Sequence, residues 1–354
     1  MSKLERLRKS MSCGGLDAVL VLDELNQHYL SDFAFTDGFL LITQKHAFLV
    51  TDFRYFEMAE KSASAEFEIL MPSDRRSFIN EALSADSVKT LGFEGGSISY
   101  ATQRKYAENH PDFVLSDIGS MIEELRQIKT EDEIIKMQKA QDITDKAFSH
   151  ILDILSPNMT ELDVAVELEY TMRKLGASGF AFDTIAVSGD GSALPHGTPR
   201  NVKLKPGFLT MDFGAKYEGY CSDMTRTVVI GRATEELRDV YNTVLSAQLA
   251  ALDFLRAGVD CADADRCARD IIDAKYEGTF GHSLGHSVGL FVHESPALSK
   301  KAAGRALRVG EIVTVEPGIY LSGKYGCRIE DMVKIEENGV YNFTHSTKEL
   351  IEIT

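Results

Sequence analysis

Two segments of the chain bring acidic residues together across short apolar stretches, an arrangement that can bind metal ions. In the first segment, Asp212 and Asp223 flank the glycine-containing stretch 214–219. In the second, Glu316 and Glu330 flank Gly323. Carboxylates placed among apolar strand residues need compensating positive charge, because an unpaired buried charge is costly. Two divalent cations would supply that charge.

The spacing within each segment predicts a β-hairpin. If the first hairpin is centred between Tyr217 and Glu218, Asp212 and Asp223 stand directly opposite each other. Cross-strand partners have Cβ atoms roughly 4.5–5.5 Å apart, where two ionised carboxylates repel unless a proton or a cation lies between them. The second hairpin, 312–334, is predicted to be centred near Gly323. Four carboxylates then converge from two hairpins.

A glycine-rich stretch, 281–289, adds the imidazole of His286, and a His293-Glu294 pair follows it. A site made of oxygen ligands with one nitrogen suits Mn²⁺, with Co²⁺ or Zn²⁺ as neighbouring choices. The five cysteines are scattered and include no CxxC pair. The sequence therefore predicts neither a thiolate metal site nor a disulfide framework, and it favours a cytoplasmic location.

The elements that must position these residues show two different sequence patterns, one in each part of the chain. Short apolar runs at 17–22, 39–42, 47–50, 67–70 and 90–93 alternate with helical patterns at 54–61, 77–83 and 100–108. This alternation predicts an α/β domain of about 120 residues. A capping box at Thr130 and Glu133 then opens a long helix, and Thr160 and Asp163 open a second helix that ends near Gly176. We predict two domains, 1–122 and 123–354.

The second domain contains a weak internal repeat. Residues 204–214 and 307–318 share the order of a leucine, a basic residue, a glycine, apolar residues, an acid and a glycine. Two helical stretches precede each copy, and the second pair lies near 235–256 and 262–275. Repeated supersecondary units bury their apolar faces against each other. A pseudo-symmetric domain with a site between its two copies is therefore expected.

Charge and hydropathy exclude two classes of partner. The chain of 354 residues has 54 acidic and 38 basic side chains and a formal net charge of −16. This charge repels phosphate, and no segregated basic patch offsets it, so nucleic-acid binding is not expected. No stretch approaches the ~20 apolar residues that span a bilayer, so a membrane is not expected to be a partner.

Seven short motifs together resemble the pita-bread metallopeptidase family (M24), in its branch of Xaa-Pro aminopeptidases and Xaa-Pro dipeptidases (prolidases). They lie at 188–197, 212–215, 222–227, 285–289, 293–294, 315–318 and 328–331. Each is weak alone, but their order and spacing are specific. The resemblance covers nearly the whole chain. It implies an α/β (α+β) protein with a creatinase-like amino-terminal domain and a pita-bread catalytic domain.

The resemblance also implies the roles of individual residues. Five metal ligands correspond to Asp212, Asp223, His286, Glu316 and Glu330. Glu316 would also act catalytically as a proton shuttle, with His293 stabilising the oxyanion and His196 orienting the substrate or leaving group. The two metal ions would activate a bridging water for attack on the peptide carbonyl. The substrates would be proline-containing peptides, and the assembly a homodimer.

The main function expected is that of an Xaa-Pro aminopeptidase. Some dipeptidases of the family have an arginine shortly after the His-Glu-x-Pro segment that can hold the substrate carboxylate, whereas Pro296 here is followed by Ala297. An Xaa-Pro dipeptidase is the alternative. A specialised amide hydrolase or carbon-sulfur lyase, a creatinase-type enzyme without metal, and a non-catalytic binding protein are further alternatives, although the complete ligand set argues against the last two.

Two residues near the motifs have open roles. His282 either supports the site or only packs beside it. Arg328 lies two residues before Glu330 and is predicted to pair with a ligand carboxylate, with an ordinary cross-strand ion pair as the alternative. The remaining histidines lie outside every motif and are interpreted as surface or packing residues: His28, His46, His110, His150 and His345.

Overall fold

The computed structural model describes residues 1–354, which divide into two compact units, Met1–Arg126 and Gln127–Thr354. The first unit is a mixed sheet with helices, in the strand order β4-β3-β2-β1-β5-β6. Its strands are β1 (Ala18–Val21), β2 (Phe39–Thr43), β3 (Ala47–Val50), β4 (Glu68–Leu70), β5 (Thr90–Phe93) and β6 (Val114–Asp117). Its helices are α1 (Lys3–Cys13), α2 (Glu24–Ser31), α3 (Phe56–Ser62), α4 (Arg75–Ala85), α5 (Tyr100–Asn109) and α6 (Met121–Gln127, which ends one residue into the second unit).

The predicted α/β texture of the first unit is confirmed. All four residues of β1 are buried, as expected for a central strand covered on both faces. Strand β1 pairs antiparallel with β2 and parallel with β5. The five apolar runs form β1 to β5, and the three helical patterns form α3, α4 and α5. Helices α1, α2 and α6 and strand β6 were not predicted from the sequence.

The second unit contains the four predicted long helices and fourteen strands. The helices are α7 (Glu131–Ile154), α8 (Glu161–Lys174), α9 (Glu235–Phe254) and α10 (Cys261–Tyr276). The strands are β7 (Gly179–Phe180), β8 (Ile185–Ser188), β9 (Gly207–Phe213), β10 (Ala215–Tyr217), β11 (Tyr220–Cys221), β12 (Met224–Ile230), β13 (Gly285–Ser287), β14 (Glu294–Leu298), β15 (Ile312–Val315), β16 (Gly318–Leu321), β17 (Tyr325–Arg328), β18 (Asp331–Glu336), β19 (Gly339–Asn342) and β20 (Glu352–Ile353). Both predicted capping boxes are present, at Thr130 with Glu133 and at Thr160 with Asp163.

The internal repeat is visible in the sheets. Strands β8-β9-β12 and β13-β15-β18 are antiparallel triplets in the same order. Helices α7 and α8 pack with the first triplet around Phe148, Leu168 and Met211. Helices α9 and α10 pack with the second triplet around Val244 and Val313. Each copy thus buries its own apolar face and carries one acidic hairpin.

Arg226 links the two hairpins inside the second unit and is 1% exposed. Its guanidinium donates to the backbone carbonyl of Glu330 and to the carboxylate of Asp331. It also donates to the carbonyls of Ser346 and Thr347. Just beyond those residues, β20 pairs in parallel with β12, the strand on which Arg226 lies. The segment 346–353 is therefore part of the scaffold behind the acidic residues.

None of the ten helices combines the length and the apolar character that crossing a membrane requires.

Candidate metal centre

A cavity of about 500 Å³ in the second unit contains every predicted site residue in its lining. Its lining combines residues from both copies of the repeat. The predicted residues that line it are His196, Asp212, Asp223, His286, His293, Glu316 and Glu330. His282 and Arg328, whose roles were open, line the same cavity. A site between the two copies is what the internal repeat predicted.

The first hairpin has a different register from the one predicted. Its turn is centred between Glu218 and Gly219, both with positive φ, and Asp212 faces Thr225. The predicted direct opposition of Asp212 and Asp223 was therefore wrong by two residues. A shift of two keeps the side-chain parity of a regular strand. Asp223 lies in the gap between β11 and β12 and reaches the same cavity.

The second hairpin has the predicted register. The ladder of β15 with β18 and the ladder of β16 with β17 share one register around Gly323, whose φ is 73°. Glu316 and Glu330 occupy the junction between the two ladders, where continuation of that register sets them opposite each other. This junction leaves both carboxylates outside the strand ladders and free to point into the cavity.

Three of the five predicted ligands form a compact group suited to a metal ion. The ligand atoms of Asp223, His286 and Glu330 all lie within 4.8 Å of one another. Asp223 is 4% exposed and Glu330 is 1% exposed. Burial, followed by repulsion from neighbouring carboxylates, raises the pKa of both Asp223 and Glu330 well above the usual range. A divalent cation would relieve this cost, so the residues fit a metal.

The other two acidic residues each have a cationic partner from the chain. Arg328 donates from Nη2 to Oδ2 of Asp212 at 2.7 Å, so the predicted pairing of Arg328 with a carboxylate is confirmed. The second oxygen of Asp212, Oδ1, is buried and has no hydrogen-bond partner. Burial raises the pKa of Asp212, although Arg328 opposes that effect. The lone oxygen is a further feature that a bound cation would satisfy.

Glu316 pairs with His286, whose Nε2 lies 3.3 Å from Oε1 of Glu316 and 3.6 Å from Asp223. Burial opposes both charges, but this pairing raises the pKa of His286 to about 9 and lowers that of Glu316 to about 2. Metal binding requires a neutral imidazole. The imidazolium of His286 thus supplies positive charge beside Glu316 and Asp223. A metal ion bound by His286 would displace the imidazolium proton.

A hydrogen-bonded group behind the carboxylates was not identified from the sequence. Thr225 donates to Glu330 at 2.7 Å and accepts from Nε of Arg328 at 2.9 Å. Arg328 also donates to the hydroxyl of Tyr320 at 2.6 Å. The register around Gly323 was the available signal, because it sets Tyr320 opposite Gly326, where a Cβ would come within 2.8 Å of the ring of Tyr320.

His282 belongs to the wall of the cavity. Its Nε2 lies 2.9 Å from the hydroxyl of Tyr320, and its Nδ1 lies 4.0 Å from Glu316. Burial lowers the pKa of His282 despite the carboxylate of Glu316. These contacts favour the supporting role over simple packing.

The two remaining histidines enter the cavity from loops. His196 follows a short 3₁₀ helix, Gly189–Ala193, and its side chain is exposed to the cavity. His293 lies between β13 and β14, and its ring centroid is 4.3 Å from that of His286. Burial, followed by the charge on His286, lowers the pKa of His293. A neutral His293 can donate one hydrogen bond to a group in the cavity.

Comparison with known proteins gives two family matches. The description "Metallopeptidase family M24" matches residues 135–337, and "Creatinase/Prolidase N-terminal domain" matches residues 3–128. The "Xaa-Pro dipeptidase" of Pyrococcus furiosus is 36% identical over 352 residues, which cover 99% of each chain.

Two solved structures cover the whole chain with similar folds. "Xaa-Pro dipeptidase from Bacillus anthracis" has a TM-score of 0.95 at 40% identity, covering 99% of each chain. "X-Pro aminopeptidase from Thermotoga maritima MSB8" has a TM-score of 0.92 at 37% identity, covering 100% of each chain. The predicted α/β architecture, with its creatinase-like and pita-bread domains, agrees with these matches.

Proposed function

The chain belongs to metallopeptidase family M24, and we propose on that premise that it hydrolyses the peptide bond before proline in Xaa-Pro substrates. The observation that supports this most is the meeting of five metal-ligand types and two further histidines in one cavity. Members of the family use two metal ions. We propose that both are Mn²⁺, with Co²⁺ or Zn²⁺ as alternatives.

We propose Xaa-Pro dipeptides as the first substrates. The names of the Pyrococcus furiosus and Bacillus anthracis relatives support a dipeptidase better than the aminopeptidase that Ala297 suggested. The aminopeptidase remains the second candidate because of Ala297 and the Thermotoga maritima structure.

In this proposal, Asp212, Asp223, His286, Glu316 and Glu330 hold the two metal ions. When bound, the ions polarise the substrate carbonyl and lower the pKa of a water molecule. The chain itself holds the ligands in place: Arg328 fixes Asp212, and Thr225 fixes Glu330. Glu316 lines the cavity beside His286, and its carboxylate is the proposed acceptor of the proton of the attacking water.

The two cavity histidines act on the substrate. His293 donates a hydrogen bond to the carbonyl oxygen as negative charge develops there, which stabilises the transition state more than the bound substrate. His196 orients the peptide within the cavity. The cavity walls near His196 also include Phe182, Ile185 and Pro199, which provide apolar surface for a proline ring.

The test is a substrate comparison on the intact protein. The protein is freed of metal by chelation and assayed with Ala-Pro, Ala-Pro-Ala and the control Ala-Ala, with and without Mn²⁺. Mn²⁺-dependent cleavage of Ala-Pro alone supports the dipeptidase, and release of alanine from Ala-Pro-Ala supports the aminopeptidase. Failure to cleave either proline peptide, with Mn²⁺ bound according to calorimetry, overturns the Xaa-Pro proposal and moves attention to a specialised amide hydrolase or lyase.

The assembly and the location are proposals of the same kind. We propose a homodimer, for which light scattering after gel filtration is the test, with a monomer as the contrary result. We also propose a cytoplasmic location, supported by five cysteines that form no disulfide. Cell fractionation with an antibody against the chain tests it.

A further inference from the structure

The loop that carries His196 has both of its ends held by one carboxylate. The loop begins at Ser188, the last residue of β8, and we take Arg200 as its other end. Glu161, at the start of α8, accepts from the backbone N–H of Ser188 at 2.8 Å and from its hydroxyl at 2.9 Å. It also accepts from Arg200, through the backbone N–H at 3.1 Å, Nε at 2.8 Å and Nη2 at 2.7 Å.

Burying the carboxylate of Glu161 costs free energy unless hydrogen bonds and a cation satisfy it. The side chain of Glu161 is fully buried, and the guanidinium of Arg200 is the cation that pairs with it. Burial opposes ionisation, but Arg200 and Ser188 keep the pKa of Glu161 below its usual value. Arg200 also lies against the loop, because a Cβ on Gly191 would come within 2.6 Å of its Nη2. The pair therefore fixes both the base and the inner surface of the loop.

The loop continues from this base to the cavity through further bonds. Ser192 donates to the carbonyl of Gly189 at 2.6 Å and accepts from the backbone N–H of Gly326 at 2.9 Å. The carbonyl of Pro195, next to His196, accepts from Nη1 of Arg328 at 3.4 Å. Glu161 and Arg200 do not line the cavity themselves. Any effect they have on substrate must pass through the loop.

We propose that Glu161 and Arg200 are positioning residues that set the place of His196 in the cavity. The inference rests on the proposed function, in which His196 orients the substrate. A side chain held about 1 Å out of place can cost roughly a hundredfold in rate. Weakening one bidentate contact shifts the loop less, so the expected loss in kcat/KM is about tenfold.

The decisive variant is Arg200→Lys, which keeps the charge and the backbone bond but loses the two-pronged contact. The matched control is Asp190→Asn, which removes an exposed ion pair with Lys205 from the same loop and removes none of the hydrogen bonds of Glu161. Both variants are combined with His196→Ala and assayed on Ala-Pro with Mn²⁺. Arg200→Lys is expected to lower kcat/KM about tenfold alone and to have no further effect when His196 is absent.

A purely structural role would give a different result. In that case the loss from Arg200→Lys would appear unchanged on top of His196→Ala, and the inference is overturned. Equal losses in Asp190→Asn and Arg200→Lys also overturn it. Melting temperature and Mn²⁺ binding show that each variant is folded. Glu161→Gln is the harsher companion variant, expected to lose activity at least as strongly.

A second readout separates this inference from the proposed function. Diethyl pyrocarbonate modifies exposed histidines, and peptide mass spectrometry gives the rate at each. The rate at His196 is expected to change at least about twofold in Arg200→Lys, with His345 unchanged and Asp190→Asn like the wild type. If the wild type cleaves no Xaa-Pro peptide, the proposed function fails, but an altered rate at His196 still supports the positioning role. An unaltered rate overturns it.

Discussion

The two acidic hairpins share a sequence pattern but differ in register. In the second, Glu316 and Glu330 sit opposite each other at a break between two ladders of one register. In the first, Asp212 faces Thr225, and Asp223 lies in an irregular gap. Both hairpins still deliver two carboxylates to one cavity. The two copies of the repeat therefore place their acids in the same cavity, although the acids have different cross-strand partners.

The hairpins resemble each other more closely in their electrostatics. Each has one acid beside a strong cationic partner, Asp212 with Arg328 and Glu316 with His286. Each also has one acid whose pKa is raised well above the usual range, Asp223 or Glu330. The need for a bound cation is thus concentrated on the second acid of each hairpin. The variants with the largest expected effects replace one acid of each kind.

Replacing the second hairpin's two acids separates their roles. Glu330→Gln and Glu316→Gln are each expected to lower kcat/KM more than about a hundredfold, beyond the usual loss of an outer partner of a metal ligand. Their effects on the chelated protein should be opposite near pH 8. Glu330→Gln raises the melting temperature because it removes repulsion. Glu316→Gln lowers the melting temperature, with a loss of about 1–3 kcal/mol of unfolding free energy, because His286 loses its partner.

Scanning calorimetry in excess chelator checks the two melting temperatures, and a shift of the same sign in both variants contradicts the division of roles. The parent protein in the same buffer is the reference.

The pH dependence of the chelated protein follows from the raised pKa values. Asp223 and Glu330 hold protons more tightly when folded, so their stabilising contribution is complete below the ordinary values of 3.8 and 4.5. It is lost as pH rises through the raised values. The chelated protein should therefore melt at a lower temperature at about pH 8 than at about pH 5, and saturating Mn²⁺ should reverse the trend.

Glu316 has the opposite sign, because its pKa is lowered to about 2 and its contribution is lost only as pH falls from 4.5 toward that value. Melting curves across the range, with Glu330→Gln as the control of smaller slope, measure the effect. A flat profile for the chelated parent would contradict the raised values.

Thr225 tests whether the hairpins depend on one shared support. Thr225→Val removes its hydrogen bonds with Glu330 and Arg328 and should cost about 2 kcal/mol of unfolding free energy. We expect kcat/KM to fall about tenfold, because both carboxylate supports are loosened. Denaturant titration and the Ala-Pro assay measure the two effects. Thr243→Val is the control, since that buried hydroxyl bonds only a carbonyl of its own helix; an equal activity loss there would contradict the expectation.

The turns give the smallest effects. Gly323 has a φ of 73°, so Gly323→Ala should destabilise the second hairpin by about 1 kcal/mol. Glu218 has a φ of 47°, and Glu218→Asn should stabilise the first by about 0.5 kcal/mol, because asparagine suits the first position of this two-residue turn. Both variants should retain activity within about twofold. Thermal melting measures both, and stabilisation by Gly323→Ala or destabilisation by Glu218→Asn would contradict these expectations.

Much of the fold was predictable where local chemistry decides it. The capping boxes at Thr130 and Thr160 satisfy free N–H groups within three residues, so their signals are strong and both were found. The five predicted metal ligands were chosen because they occur in short motifs, and the structure places all five in the lining of one cavity, while their role as ligands stays a prediction.

The rest depends on choices that local sequence does not fix. The first hairpin places Glu218 in the left-handed region, which glutamate rarely adopts, so its turn was predicted one residue too early. Tyr320 and the clamp of Glu161 on Arg200 join elements that are distant in the chain. Such contacts are decided by packing, which a single sequence shows only weakly.

The junction at Arg226 bears on the order of events during synthesis of the protein. The strand that carries it is bordered by β20, and its guanidinium is satisfied by carbonyls of residues 346 and 347. A ribosome must therefore release that segment before the scaffold behind Asp212 and Glu330 can close. Contacts spanning so much of the chain form late, because their loops are costly to close. Binding of metal at this centre would consequently follow synthesis of the segment 346–353.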